Sequence, residues 1–199
     1  RENPDIIIDF SIPNASISIL DFAKSKNIPV VIATTGFSEG QINYIKECSK
    51  YIPIFQSSNM SLEINIMNVL VSKLAKLLTD SDIEIIEAHH KGKIDAPSGT
   101  ALMLANSINS ALDENMTYTY NRSNAKKRRT SNEIGIHSIR GGTEVGKHTV
   151  LFLGDNENFE ITHTVTSRGI FAKGAIKAAE FIVNKSSGYF EMKDLVKFD

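Results

Sequence analysis

Between residues 87 and 101 the chain reads Glu-Ala-His-His-Lys-Gly-Lys-Ile-Asp-Ala-Pro-Ser-Gly-Thr-Ala, and its chemistry is concentrated there. Two adjacent histidines, His89 and His90, titrate near neutral pH and can give or take a proton. Lys91 and Lys93 add positive charge. A Pro97-Ser98-Gly99-Thr100 turn leads into Leu102-Met103-Leu104-Ala105, which reads as the first turns of a helix. Amides at such a helix start, near Gly99 and Thr100, favour a carboxylate or a phosphate. One short stretch can therefore move a proton and grip an anion.

The same residues also have plainer uses. Successive strand side chains face opposite sides, so His89 and His90 diverge if strand geometry persists to residue 90. Zinc needs three or four converging ligands, and Cys48 is isolated, so no metal site is expected. One histidine for the proton and the other as a hydrogen-bond donor to substrate is the more economical arrangement. Lys93, four residues past His89 and beyond a bend at Gly92, can share the imidazole's pocket, whereas Lys91 reads as a surface lysine. Ser98, Gly99 and Thr100 would equally serve as a simple helix cap.

These residues need elements to position them. Continuous apolar runs at 5–10, 29–34 and 52–55 read as strands covered on both faces. Between them, helical spacing of Ile17, Leu20 and Phe22, and of Ile42, Ile45 and Cys48 behind a Ser38 cap, predicts helices. Strands alternating with helices imply a parallel sheet with right-handed crossovers. Ligands bind at the carboxyl ends of such strands, here Ala33-Thr34-Thr35-Gly36 and Ser57-Ser58-Asn59-Met60. A long helix follows with Leu62, Ile66, Leu70, Leu74 and Leu77 on its apolar stripe, then a strand to His89 and a helix from Thr100 to Leu112.

Residues 113–132 carry Lys126-Lys127-Arg128-Arg129 and read as a long exposed loop whose charges are solvated. Beyond it, 134–139, 148–153 and 159–166 read as successive strands, which predicts an antiparallel or mixed sheet. A helix over 169–184 and a short amphipathic tail at 189–195 complete the chain.

Composition narrows the function classes. The 199 residues carry 22 basic and 23 acidic side chains for a net charge of -1, which argues against a general binder of nucleic acid or anionic membrane. No apolar run approaches the roughly 18 residues of a spanning helix. A single cysteine, Cys48, permits no internal disulfide and suits a reducing, cytoplasmic compartment.

Taken together, these segments resemble the 4-hydroxy-tetrahydrodipicolinate reductase (dihydrodipicolinate reductase) family. Residues 87–101 match that family's signature segment almost throughout. Val31 to Phe37 is similar to its Gly-Thr-Thr-Gly-Phe loop, and Ser57 to Ser61 to its nicotinamide-side loop. Ile134 to Gly142 with Gly146 to Val150 resembles a strand pair of its substrate domain, and Ser167 to Ala175 its return helix.

The resemblance implies an α/β protein with a truncated Rossmann-like parallel sheet, residues 1–61 and 169–199, and an α+β substrate and oligomerisation domain, residues 62–168, assembled as a homotetramer. It implies reduction of a cyclic imine dicarboxylate, on the diaminopimelate route to lysine, with NADPH or NADH as donor. His89 would be the proton donor or acceptor and Lys93 its acid or electrostatic partner. His90, with Ser98, Gly99 and Thr100, would hold the substrate carboxylates. Ala33, Thr34, Thr35, Ser57, Ser58, Asn59 and Met60 would line the nicotinamide and ribose.

The family's opening strand and Gly-rich phosphate loop are expected upstream of Arg1, and these residues alone are expected to bind cofactor weakly. Glu63, where the family has a small residue, would either face the cofactor or face solvent at the first helical turn. Two other readings fit the same residues: a dehydrogenase of a different small acid, and a catalytically impaired or non-enzymatic assembly module of this fold.

Overall fold

The computed structural model describes residues 4–120, 122–123 and 126–196; the chain ends 1–3 and 197–199, which the expected domain ranges include, lie outside the described residues. The chain forms two compact units, residues 1–65 with 169–199, and residues 66–168.

In the first unit, β1 (Ile7–Asp9), α1 (Pro13–Lys26), β2 (Val30–Ile32), α2 (Glu39–Cys48) and β3 (Pro53–Gln56) alternate. Pro13 opens α1, where its missing N–H costs nothing, and Asn27 ends it in the left-handed conformation. Ser38 caps α2 as its position predicts: its hydroxyl accepts from the Gln41 amide while the Gln41 side chain reaches back to the Ser38 amide. The sheet is parallel, in the order β1-β2-β3-β9. Its middle strands are buried along their whole length, which is why they read as unbroken apolar runs.

α3 (Leu62–Leu77) starts in the first unit and runs into the second. There follow β4 (Asp82–His89), α4 (Gly99–Ala111), β5 (Thr117–Thr119), β6 (Glu133–Arg140), β7 (Gly146–Leu153) and β8 (Asn158–Val165). α5 (Gly169–Ile182), β9 (Gly188–Phe190) and α6 (Met192–Leu195) return to the first unit. The second sheet is mixed, in the order β5-β6-β4-β7-β8, with β4 parallel to β6 and antiparallel to β7. β4 alternates strictly: Ile83, Ile85, Glu87 and His89 are buried, while the residues between them are half-buried. α4 packs against β4 through a face of Ala101, Leu104, Ala105 and Ile108, all fully buried.

Two sequence expectations need correction. Residues 113–132 are not one loop, because Thr117–Thr119 pairs in parallel with β6. The basic run is not wholly solvated: Lys126, Lys127 and Arg128 are exposed, but Arg129 reaches Asp82 at 2.6 Å, Glu84 at 3.1 Å and the carbonyls of Ile83 and Glu133. An arginine with five donors and two carboxylates in range is drawn out of water at the starts of β4 and β6. The expected amphipathic tail likewise begins as a strand, β9, parallel to β3. No helix among the described residues is long and apolar enough to cross a membrane.

Candidate active site

The second unit gathers the reactive groups at the carboxyl end of β4. Glu87 and His89 share its buried face because they are two residues apart on a strand. Glu87 is wholly buried. Arg140, on β6, grips it with two bonds, Nη1 to Oε2 at 2.8 Å and Nη2 to Oε1 at 2.7 Å. His89 Nδ1 lies 2.6 Å from Glu87 Oε2, and the Ser98 amide donates to Oε1 at 3.2 Å. Burial alone pushes the Glu87 carboxyl up, but hydrogen bonds from Arg140, Ser138 and His89, with the Arg140 charge, outweigh it and bring it down to about 2. An ionised carboxylate only accepts, so His89 carries its proton on Nδ1 and presents Nε2 on the other side of the ring. Nε2 lies over Gly146 of β7, where a Cβ would come within 3.1 Å of it.

Ser98 is the N-cap of α4, its hydroxyl accepting from the Ala101 amide at 3.1 Å. The same oxygen lies 2.9 Å from Nε2 of His148, a buried residue of β7 whose ring sits edge-on to that of His89 with centroids 5.1 Å apart. Burial first, then the neighbouring His89, pushes His148 down to about 4. His148 is therefore neutral near pH 7. The sequence alone assigns Glu87, Arg140 and His148 no role; for Glu87 and His148 the one signal is a polar side chain at a position that strand alternation turns inward, whereas burial on β6 does not alternate and gives no such sign for Arg140.

The remaining expected residues divide. Gly99 and Thr100 form the first turn of α4, whose amides point toward the helix start. His90 leaves its neighbour: Arg168 Nη2 donates to His90 Nε2 at 3.3 Å, and both line a cleft of about 410 Å³ with Lys91, Gly142 and Thr143. Lys93 forms an ion pair with Asp95 at 2.8 Å. That pair holds the Asp95 carboxyl below its ordinary range, and Lys93 is near enough to His148 to help lower it. No group of three or more His, Cys, Asp or Glu placed to hold a metal occurs among the described residues.

In the first unit, a cleft of about 240 Å³ opens at the carboxyl ends of the parallel strands, lined by Phe10, Ala33, Ser58, Asn59, Met60 and Phe171. A small, mixed apolar and amide-bearing cleft beside two phenyl rings fits a nicotinamide with its carboxamide. The other three expected residues turn elsewhere. Thr34 is buried, its hydroxyl donating to Asp9 Oδ2 at 3.1 Å. Asp9 also accepts from Ser11 and from Ser16, so it ties the end of β1 to α1 and β2. The Ser57 hydroxyl donates to the Asn59 carbonyl at 2.7 Å, which shapes the loop, and Thr35 is exposed. Glu63 is exposed, within 3.4 Å of the Ser61 hydroxyl.

Comparison with known proteins gives one answer. Residues 63–196 match the family described as dihydrodipicolinate reductase, C-terminus, and residues 1–60 match dihydrodipicolinate reductase, N-terminus. A relative named 4-hydroxy-tetrahydrodipicolinate reductase, from Caldanaerobacter subterraneus subsp. tengcongensis, is 50% identical over 99% of this chain and 78% of its own length. A protein of the same name from Brachyspira hyodysenteriae is 50% identical over 98% of this chain and 84% of its own. Among solved structures, a dipicolinate-bound dihydrodipicolinate reductase from Paenisporosarcina sp. TG-14 superposes with a TM-score of 0.74 at 25% identity, covering 97% of this chain and 74% of that one.

Proposed function

The chain belongs to the dihydrodipicolinate reductase family, and from that premise we propose how its residues carry out the reduction of a dihydrodipicolinate-type cyclic imine dicarboxylate to tetrahydrodipicolinate, in diaminopimelate and lysine biosynthesis. The observation that carries the reading is the His89 imidazole, pinned at Nδ1 by a buried carboxylate with Nε2 left for exchange, beside a capped helix start. His89 Nε2 delivers the proton to the ring carbon that becomes electron-rich as the imine is reduced. The first amides of α4, with Ser98, Gly99 and Thr100, hold one substrate carboxylate. His90, beside the Arg168 guanidinium, holds the other. Lys93, released from Asp95 as substrate arrives, supplies the charge that draws electron density from the reacting ring.

NADPH or NADH, bound, supplies the hydride. Ala33, Ser58, Asn59 and Met60 are the residues that would hold its nicotinamide, with Thr34, Thr35 and Ser57 shaping their loops. A homotetramer built on the open face of the five-stranded sheet is part of the same proposal, as is a cytoplasmic setting, which the lone, buried and unpaired Cys48 supports.

The test is reductase activity in an assay coupled to the synthase that makes the substrate, followed by oxidation of the reduced nicotinamide. His89→Gln is expected to lower kcat about 100-fold with KM for the dicarboxylate nearly unchanged. Lys93→Ala is expected to impair both. Wild-type turnover in the His89 variant would remove that residue from the mechanism. Dipicolinate, the ligand of the Paenisporosarcina enzyme, should compete with substrate and lose affinity in Thr100→Val.

A further inference from the structure

We infer that Glu87 is a positioning residue for His89: its carboxylate, clamped by the Arg140 guanidinium and the Ser98 amide, fixes the imidazole in the Nδ1–H tautomer and aims Nε2 at the reacting carbon. The inference rests on the proton-donor role given to His89 above.

The geometry leaves Glu87 no other use. Its side chain is 0% exposed, so it meets neither solvent nor substrate. Oε2 takes one Arg140 bond at 2.8 Å and the His89 bond at 2.6 Å; Oε1 takes the second Arg140 bond at 2.7 Å and the Ser98 amide at 3.2 Å. Both oxygens are thus fully engaged, and neither can rotate without breaking a bond to the guanidinium. Arg140 is itself held, since Nη2 also donates to the Asp95 carbonyl at 2.6 Å. On the far side of the ring, Gly146 leaves Nε2 the room a Cβ would take, and the edge of His148 blocks a tilt.

Glu87 is not a proton relay. The Arg140 clamp keeps it ionised well below neutral pH, so the proton that leaves His89 leaves from Nε2 and returns there from solvent. The carboxylate also joins the two halves of the site. The Ser98 amide it accepts belongs to the N-cap of α4, so the helix start that grips an anion and the imidazole that gives a proton are set from one buried group. Sequence separation hides this: Glu87 lies 53 residues from Arg140 and 11 from Ser98.

The experiment compares the wild-type protein with Glu87→Gln and with the double variant Glu87→Gln/Arg140→Gln, which removes both buried charges together and so spares the fold an unpaired guanidinium. Steady-state kinetics should show kcat lowered about 100-fold in the double variant, with KM for both substrates within about twofold of wild type. The ring nitrogens of His89, assigned by the signals lost in His89→Gln, should show Nδ1 protonated and Nε2 bare in the neutral wild-type ring. In the double variant the proton should move to Nε2 or divide between the two. Turnover in the double variant within about threefold of wild type would overturn the inference, and so would a wild-type ring protonated on Nε2, a measurement that needs no variant to fold. If the wild type lacks reductase activity, the functional reading fails while the tautomer comparison still decides the role of Glu87. An unchanged tautomer in the variants would then refute it.

Discussion

The exchange of an ion for a neutral ring at one residue, His148, governs how the site tolerates acid. His148 is 4% exposed and is pushed down to about 4 by burial and by its neighbours His89, His163 and Lys93, against a weaker pull upward from Glu87. An unfolded chain protonates this histidine near 6.5, so between 6.5 and about 4 the unfolded state binds more protons than the folded one. The contribution is therefore fully present above 6.5 and is lost as pH falls toward 4. A displacement of this size is worth up to about 3 kcal/mol. Glu87 acts in a lower window: its folded value of about 2 against an ordinary 4.5 gives stability that is present above 4.5 and lost on the way down to 2. Chemical denaturation across this range should show two descending limbs. His148→Gln should flatten the upper limb and leave the lower one, and an unchanged upper limb would mean that other groups set it.

At the scale of elements, Gly174 fixes where the candidate cofactor loop lies. It sits in α5, and a Cβ there would fall 1.7 Å from the Met60 carbonyl oxygen, so the helix and the Ser58–Met60 loop touch backbone to backbone. Backbone cannot swing aside as a side-chain tip can. Gly174→Ala should therefore push the loop off α5, lowering stability by about 1–3 kcal/mol and raising KM for the reduced nicotinamide more than KM for the dicarboxylate. Equal changes in the two would argue against Met60 as part of the cofactor cleft. Elements of this kind differ in how far the sequence reveals them. The parallel strands were legible because burial on both faces leaves an unbroken apolar run, as at Val30–Ile32. β9 was not, since three residues carry no period and Gly188–Phe190 becomes a strand only by pairing with β3. The site divides in the same way. His89, Lys93 and Ser98 lie in one contiguous segment and can be read together, whereas Arg140 and His148 reach it from other strands. Arg129 was lost in a basic run because its acceptors on β4 lie 45 to 47 residues away.

Over the whole molecule, the proposed assembly rests on the face of the five-stranded sheet opposite α4. α4 covers the face carrying Ile83, Ile85, Glu87 and His89, and the other face of β4 presents Glu84, Ile86 and Ala88. Register places Ile139 of β6 beside Ala88, and Thr149 and Leu151 of β7 beside Ile86 and Glu84. Ile139 is 55% exposed, and the Thr149 and Thr162 hydroxyls are 2.9 Å apart across β7 and β8. Glu84 lies against Gly135, bonded to His137 at 2.7 Å and Arg129 at 3.1 Å, while Lys147 and Glu160 stand exposed on the same face. A sheet face that mixes apolar side chains with both signs of charge can be complementary to a second copy of itself, which is what an isologous interface requires. Ile139→Glu places a carboxylate on this face beside Ala88. If the chain assembles through this face as proposed, light scattering after size exclusion should show smaller species for the variant than for the wild type, with circular dichroism unchanged because Ile139 contributes little to the chain's own core. A variant with the same mass in solution as the wild type would refute this face as the assembly surface. Because His89 closes β4, loosening of the proposed interface should also slow turnover without abolishing it, a coupling that dilution of the wild-type protein would reproduce.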